Sequence, residues 1–427
     1  MHNILLGCIA DDFTGASDLA NNLARSGMRV IQTIGVPAQP LSANVDAVVI
    51  ALKSRTIAPA EAIAQSLAAL SWLQRHEAQQ IYFKYCSTFD STEKGNIGPV
   101  TDALMNALGT NFTIATPAFP DNKRTVFKGY LFAGDVLLNE SGMQNHPLTP
   151  MTDANLVRVL QTQTRHRVGL LDYTIVARGA SAVKERIAGL KSDGIGIAIV
   201  DAISNDDLMR LGPALKGMVL VTAGSGVAMG LAQNFGIAPS KAASKLPEAS
   251  GFQAVVSGSC SLATNAQVQA FINTGLPALA IDPLRVASGI DVASEALAWA
   301  APLLQSSPVL VYSTAENAAV KAVQHQLGVE AAGTLVERTL AAIAKGLVAL
   351  GVRQLIVAGG ETSGACVQAL GITQMQIGPQ IAPGVPWTYC ELSPSALASS
   401  KSGMHITLKS GNFGGNDFFN DAFKMLA

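Results

Sequence analysis

Short apolar runs, separated by longer stretches with helical spacing, recur along almost the whole chain. Residues 3–10, 28–34, 45–51, 81–85 and 111–116 are apolar runs of strand length, and 17–26, 59–75 and 99–108 between them read as helices. Pro59 opening its segment, with Glu61 just behind it, marks a helix start. Apolar runs of this length, bounded by helices, predict parallel strands buried on both faces. The alternation breaks at residues 117–150, a polar span rich in Gly, Asn and Pro without clear periodicity. A span this long without a period predicts a functional lid or binding loop. Strands resume at 168–171, 195–200 and 218–222. Residues 239–250 (PSKAASKLPEAS) then carry small and charged residues and two prolines, which predicts a linker. Beyond it the pattern restarts, with strands at 253–256, 309–312, 354–357, 387–391 and 406–408 and helices at 261–273, 334–350 and 417–426. The expected fold class is α/β. Two α/β domains, residues 1–238 and 251–427, are joined by the linker at 239–250, with ligand sites in the cleft between them.

Composition narrows the partners. A chain of 427 residues exceeds one hydrophobic core, in keeping with two domains. Hydrophobic residues reach 49%, yet no apolar run approaches the ~18 residues of a spanning helix. Charged residues are only 14%, against roughly 25% in an average domain. So little charge implies hidden surface, and a homo-oligomer is expected. The formal net charge is -1 and Lys and Arg do not cluster, which argues against nucleic acid and against a membrane as partner. The five cysteines form no CxxC pair and no Cys/His ligand spacing, so neither a disulfide framework nor a zinc site is expected. The first residues, Met1 to Leu6, carry no basic region and read as the start of a strand, so the expected location is cytoplasmic.

Chemistry gathers in loops that follow strands, where ligands bind in open α/β sheets. Ala10-Asp11-Asp12-Phe13-Thr14-Gly15-Ala16-Ser17-Asp18 places two carboxylates before a helix. Such a loop can accept a hydroxyl proton and offer backbone N–H groups; the plainer reading is one capping Asp and one solvated Asp. Lys53-Ser54-Arg55-Thr56 supplies a guanidinium fork suited to a carboxylate. Lys84-Tyr85-Cys86-Ser87-Thr88-Phe89-Asp90-Ser91 supplies a point charge and hydroxyls suited to a polyol. Three such loops at one end of a sheet point to a small, anionic, hydroxylated ligand. Asp121-Asn122-Lys123-Arg124 and Lys128-Gly129 are placed to close over it.

In the second half, Val357-Ala358-Gly359-Gly360-Glu361-Thr362-Ser363-Gly364 is a strand, a glycine turn and a helix start, the geometry that presents N–H groups to a phosphate. It is neither a Walker A sequence nor GxGxxG. Val256-Ser257-Gly258-Ser259-Cys260-Ser261 and Lys409-Ser410-Gly411-Asn412-Phe413-Gly414-Gly415 echo it. Three Gly/Ser loops can surround a nucleotide's phosphates from several sides.

These motifs resemble the four-carbon acid sugar kinases over essentially the whole chain. The likeness rests on ADDFTGASD at 10–18, FDSTEKGNIG at 89–98, and the VSGS, GGETSG and SGNFGG loops. The KYCSTFDST run at 84–92 and the segment 124–153 look like the 3-oxo-tetronate kinase branch, whereas threonate and erythronate kinases tend to a DSTLRGN-like run. The resemblance implies that the N-terminal domain binds the acid sugar and the C-terminal domain binds ATP, with Mg²⁺ bridging the phosphates and its ligands unassigned. It implies Asp12, with Asp11 second, as the base or positioning carboxylate. Arg55 and Lys84 would hold the substrate carboxylate, with Asp90 and Ser91 on its hydroxyl or oxo groups. Ser257, Ser259, Gly360, Glu361, Thr362, Ser363 and Gly411 would hold ATP. The rival readings are a threonate or erythronate kinase, a non-catalytic sugar-acid binding protein, and a nicotinamide-dependent dehydrogenase, against which the missing GxGxxG counts.

Overall fold

The computed structural model describes residues 4–42, 44–146, 149–315, 320, 325, 326, 328–392 and 403–426. Asn3, the expected first residue of the first strand, lies outside the described residues. The chain divides into two compact units, Met1–Ser244 and Lys245–Ala427.

The first unit begins β1 (Leu6–Ala10), α1 (Phe13–Arg25), β2 (Val30–Ile34), β3 (Ala47–Ala51), α2 (Pro59–Arg75), β4 (Gln80–Lys84), α3 (Ile97–Ala107) and β5 (Thr113–Thr116). It continues through β6 (Arg124–Phe127), β7 (Tyr130–Ala133), β8 (Val136–Leu137), α4 (Leu156–Gln161), β9 (Arg167–Leu171), α5 (Tyr173–Val176), α6 (Ala180–Ser192), β10 (Ile195–Val200), α7 (Asn205–Ala214) and β11 (Leu220–Ala223). Its strands lie in the order β2-β3-β1-β4-β11-β5-β10-β9, all parallel. β1, β3 and β4 are buried at every position, as parallel strands covered on both faces must be. From β1 the chain runs to β2 and β3 on one side and then returns to β4 on the other. The carboxyl ends of β1 and β4 therefore flank the topological switch point, where open α/β sheets leave a crevice.

The span 117–150 is not the structureless lid its composition predicts. β6, β7 and β8 form a three-stranded sheet whose pairings are antiparallel, followed by short 3₁₀ turns at Leu138–Glu140 and Gly142–Asn145. Its strands are too short and too exposed to show alternation, and Val126 and Leu131 alone among them are buried. Lys128 and Gly129, both at positive φ, make the two-residue turn between β6 and β7. The buried Asp201 accepts hydrogen bonds from the backbone N–H groups of Lys128 (2.7 Å), Gly129 (2.8 Å) and Tyr173 (2.9 Å). Val126 also bridges to Ala202 just beyond β10.

The second unit comprises β12 (Phe252–Ser257), α8 (Leu262–Asn273), β13 (Ala278–Ala280), α9 (Pro283–Ala287), α10 (Val292–Leu303), β14 (Val309–Tyr312), α11 (Val329–Ala349), β15 (Val352–Ala358), α12 (Gly360–Ala369), β16 (Gln374–Ala382), β17 (Val385–Glu391), β18 (Gly403–Lys409) and α13 (Phe418–Lys424). Its strand order is β13-β14-β12-β15-β18-β17-β16, with β16–β17 and β17–β18 antiparallel and the other pairings parallel. Here the switch point lies between β12 and β15. Trp387, fully buried, donates its indole N–H to the Ala422 carbonyl (2.9 Å), which locks α13 onto the sheet beside Phe271 and Phe423. The span read as a linker splits between the units. Lys241–Ser244 is a 3₁₀ turn of the first, while Pro247 bonds the His405 ring (3.0 Å) within the second.

Among the described residues, no helix is long and apolar enough to cross a membrane. None of the five cysteines is in a disulfide.

Candidate active site

In the first unit the three loops picked from the sequence meet at the β1/β4 switch point. Asp12 is the N-cap of α1: its Oδ1 accepts from the Gly15 N–H (3.1 Å) and its Oδ2 from the Thr14 hydroxyl (2.9 Å). Asp11 is not solvated. It is buried and takes a bidentate fork from Arg55, whose Nε and Nη2 each lie 2.9 Å from a carboxylate oxygen. The same Nη2 reaches Asp12 Oδ1 at 2.5 Å. Lys84 is buried, donates to the Tyr85 carbonyl (2.8 Å), and passes so close to α1 that a Cβ on Gly15 would lie 2.7 Å from its Nζ. Asn96 Nδ2 ties the loops together by donating to the carbonyls of Ser54, Arg55 and Ile57. Asp90 accepts from the Thr88 hydroxyl (2.6 Å) and the Cys86 thiol (3.1 Å), and Arg55 Nη1 stands 3.8 Å away. Phe89, held at positive φ with its buried ring edge-on to Tyr85, fixes the bend that sets Thr88 and Asp90 side by side.

Of the residues expected to hold the substrate, Arg55 pairs with Asp11 and Asp12, and Lys84 lies buried against the cap of α1. Ser91, also expected there, is buried, donating to Gln163 (3.1 Å) and accepting from the Ile97 N–H (3.4 Å).

The charges differ by depth. Burial pushes the Asp11 carboxyl up despite Arg55. Burial acts the same way on Asp12, but Arg55 and Lys84 outweigh it and hold that carboxyl below its usual range. Asp18, in the second turn of α1, is pushed up to about 7 by burial, with Lys84 and the Ser225 hydroxyl (2.5 Å) pulling the other way. A carboxyl whose pKa is raised on folding stabilises the fold below its unfolded value near 3.8, and that contribution is lost as pH rises towards 7. Asp18→Asn should therefore raise the thermal midpoint by roughly 3–6 °C at pH 8 and by less at pH 5. Equal shifts at both pH values in a melting series would show that the Asp18 carboxyl is not protonated in the fold.

The second unit gathers its Gly/Ser loops at the β12/β15 switch point. Ser261 caps α8 and donates to the Gly411 carbonyl (2.6 Å), which binds the 257–261 loop to the 409–415 loop. Ser259 stands behind it, 3.3 Å from the Ser261 hydroxyl, and Ser257 is buried against Thr314 (2.7 Å). Gly360, Glu361, Thr362 and Ser363 form the first turn of α12; Gly360 and Glu361 are exposed, Thr362 and Ser363 buried. The Ser363 hydroxyl is buried without a hydrogen-bond partner. Glycines admit the close approaches: a Cβ on Gly258 would lie 2.2 Å from the Thr362 hydroxyl, and Gly359 sits at φ +124. Lys409 is fully buried beneath the loops, its Nζ donating to Thr264 Oγ1 (3.1 Å) and to the carbonyls of Ser410 (3.0 Å), Gly411 (3.0 Å) and Phe413 (3.3 Å). Burial pulls its pKa down to about 7.

Next to these loops lies a cavity of about 410 Å³, walled by Ile281, Pro283, Tyr312 and Val336, with Gly258, Glu361 and Thr362 among its lining. Its size and apolar walls suit a nucleoside. The donor set suits phosphate: the first turn of α12, the buried Ser363 hydroxyl, and a buried cation that has no carboxylate partner among the described residues. For a metal the case differs, since no group of three or more His, Cys, Asp or Glu able to hold one occurs among the described residues. Sequence reasoning missed this cavity, because its walls come from β13, β14, α9 and α11, which carry no motif.

Comparison with known proteins agrees with this division. Residues 6–231 match the family described as a sugar-binding N-terminal domain, and residues 254–419 the one described as a nucleotide-binding C-terminal domain. A Burkholderia multivorans protein named 3-oxo-tetronate kinase is 60% identical, covering 99% of this chain and 97% of its own length. A Cupriavidus necator protein of the same name is 57% identical, covering 100% and 98%. Among solved structures, a Salmonella typhimurium LT2 protein provisionally described as a tRNA synthase is 43% identical, with TM-score 0.84 and coverage of 98% and 99%. A Haemophilus influenzae protein is 46% identical, with TM-score 0.78 and coverage of 99% and 100%. With both halves matched and identity this high along its length, the chain belongs to the four-carbon acid sugar kinase family.

Proposed function

We propose that this protein transfers the γ-phosphate of ATP to the 4-hydroxyl of 3-oxo-tetronate, giving 3-oxo-tetronate 4-phosphate. The observation that carries the reading is full-length identity of 60% and 57% to proteins named 3-oxo-tetronate kinase. Residues 1–238 bind the acid sugar and residues 251–427 bind ATP.

Phosphoryl transfer asks the protein for positioning and charge rather than for covalent chemistry. Asp12, the more exposed of the paired carboxylates (24% against 7% for Asp11), orients the 4-hydroxyl and takes its proton as the bond to phosphorus forms. Arg55 and Lys84 keep Asp12 ionised, and Asp11 fixes the angle of Arg55. Asp90 and Thr88 present hydrogen-bonding atoms to the substrate's hydroxyl and oxo groups. The first turn of α12 (Gly360 to Ser363), Ser259 and the Gly411 loop receive the ATP phosphates, with Ser257 buttressing from below. Mg²⁺ bound with ATP would supply charge neutralisation at the phosphates, and about one or two oxygen ligands from the chain would suffice to hold it. The use of ATP and the unpaired cysteines fit work in the cytoplasm, and the low charge content fits a homo-oligomer. An RNA-directed activity has no basic cluster to use, the net charge being -1.

An ADP-release assay with Mg-ATP, run on 3-oxo-tetronate, D-threonate, L-threonate and D-erythronate, tests the reading. Turnover favouring the oxo acid supports it. Preference for a threonate or erythronate moves the protein to another branch, and no ADP from any acid returns it to a binding protein.

The buried lysine gives a pH dependence. Lys409 loses its charge as pH rises through about 7, and a phosphate nearby favours the charged form. ATP binding should therefore take up a proton near neutral pH and weaken about fivefold between pH 6.5 and 8.5. Calorimetry in buffers of different ionisation heat measures that proton; zero uptake would mean Lys409 does not respond to the nucleotide.

A further inference from the structure

Gly333 and Gly346 both interrupt α11, and packing explains the second of them. A side chain on Gly346 would run into Leu297 of α10, so that glycine lets two helices close on each other. Gly333 is different. A Cβ built there meets nothing nearer among the described residues than Glu337 Oε1, at 3.9 Å. Glycine inside a helix is less stable than alanine, and at Gly333 no neighbouring group of the protein requires it.

What lies in front of Gly333 is the cavity of about 410 Å³. Ala332, Gly333, Val336 and Glu337 form one face of α11, and all four line that cavity. The same helix measures how far this face stands from the phosphate loops. Leu340 lies against the 257–261 loop, its Cδ1 2.9 Å from where a Cβ on Gly258 would be. Gly333 is about two turns back along α11, roughly 10 Å at a rise of ~1.5 Å per residue. In a nucleotide the ribose holds the base away from the phosphates. With the phosphates on the loops of Gly258 and Thr362, the base therefore falls against the Gly333 end of the face and not beside Leu340. Bare helix backbone there, with Ile281, Pro283 and Tyr312 among the other walls, lets a planar ring make close van der Waals contact that a side chain would deny it.

We propose that the base of the bound nucleotide packs on the backbone of α11 at Gly333, and that the missing side chain leaves room there for the adenine ring. The inference rests on the reading of residues 251–427 as the ATP-binding domain. It makes Gly333 a determinant of nucleotide binding that touches the base and none of the phosphates.

Calorimetric titration of wild type, Gly333→Ala and Gly333→Leu with ATP and with inorganic tripolyphosphate tests it. Gly333→Leu should weaken ATP binding about a hundredfold and Gly333→Ala about fivefold. Tripolyphosphate has no base, and its affinity should stay within about twofold in all three proteins. Neither variant should melt below the wild type, because Ala and Leu both favour a helix over Gly and the new side chain enters open space. ATP affinity of Gly333→Leu within about threefold of wild type overturns the proposal. An equal loss of ATP and tripolyphosphate overturns it too, since the damage would then lie in the phosphate loops. Should Gly333→Leu not fold, Gly333→Ala decides, and unchanged ATP affinity in that variant overturns the proposal. A wild type that binds no ATP fails the ATP reading and takes the proposal with it, whereas a wild type and variants that bind ATP equally fail the proposal alone.

Discussion

Asp12→Asn is expected to lower kcat about a thousandfold and to leave ATP affinity within about threefold. The substitution is conservative in every respect but charge. Asn is as good an N-cap as Asp: its one carbonyl oxygen keeps the bond from the Gly15 N–H and α1 keeps its start, while its amide donates to the Thr14 hydroxyl instead of accepting from it. Arg55 retains its two bonds to Asp11, so the loop it anchors stays in place. What disappears is a carboxylate held ionised by two cations, able both to orient a hydroxyl and to accept its proton. The loss should therefore fall on kcat rather than on KM. Asp11→Asn should behave otherwise: Asp11 is buried, and weakening its fork to Arg55 should lower the melting temperature as well as activity. Turnover of Asp12→Asn within tenfold of wild type would move the catalytic role off Asp12.

Gly258→Ala should weaken ATP binding about a hundredfold while the first unit binds the acid sugar as before. A methyl group here would lie 2.2 Å from the Thr362 hydroxyl and 2.9 Å from Leu340 Cδ1. Thr362 sits in the first turn of α12, and either a change of its χ1 or a shift of that turn must relieve the contact. The 257–261 loop and the α12 terminus would be forced apart, and these are two of the three sides of the phosphate cradle. The alanine should be tolerated by the fold, since the loop lies at the sheet's end; the melting temperature, measured in parallel, separates loss of the site from loss of the protein. Unchanged affinity for ATP would place the phosphates away from this loop.

Much of this was legible in the sequence because parallel sheets impose order on it. Continuous apolar runs such as β1, β3 and β4 announce strands buried on both faces, and chain order then puts the loops after them at one end. One Asp of the pair was readable as a helix cap, although α1 begins at Phe13 and not at residue 17, where the apolar spacing starts. What the sequence concealed was partner choice. Arg55 reaches Asp11 across 44 residues and Asn96 reaches the Ser54 carbonyl across 42, and nothing local reveals whether a guanidinium will meet a ligand or a neighbouring carboxylate. Lys409 stands in a Lys-Ser-Gly run that looks solvent-facing, yet β18 is a central strand and its last side chain points into the protein. The β6–β8 sheet escaped notice because strands of two to four residues carry no readable period.

The single carboxylate of Asp201, holding three backbone N–H groups at the root of the β6–β7 turn, bears on the speed of recognition. An arm fixed in this way has no conformational search left to make when a ligand arrives, its ordering entropy having been settled during folding. Ligands that reach it should then associate at similar rates, and the differences between them should appear in how long each one stays.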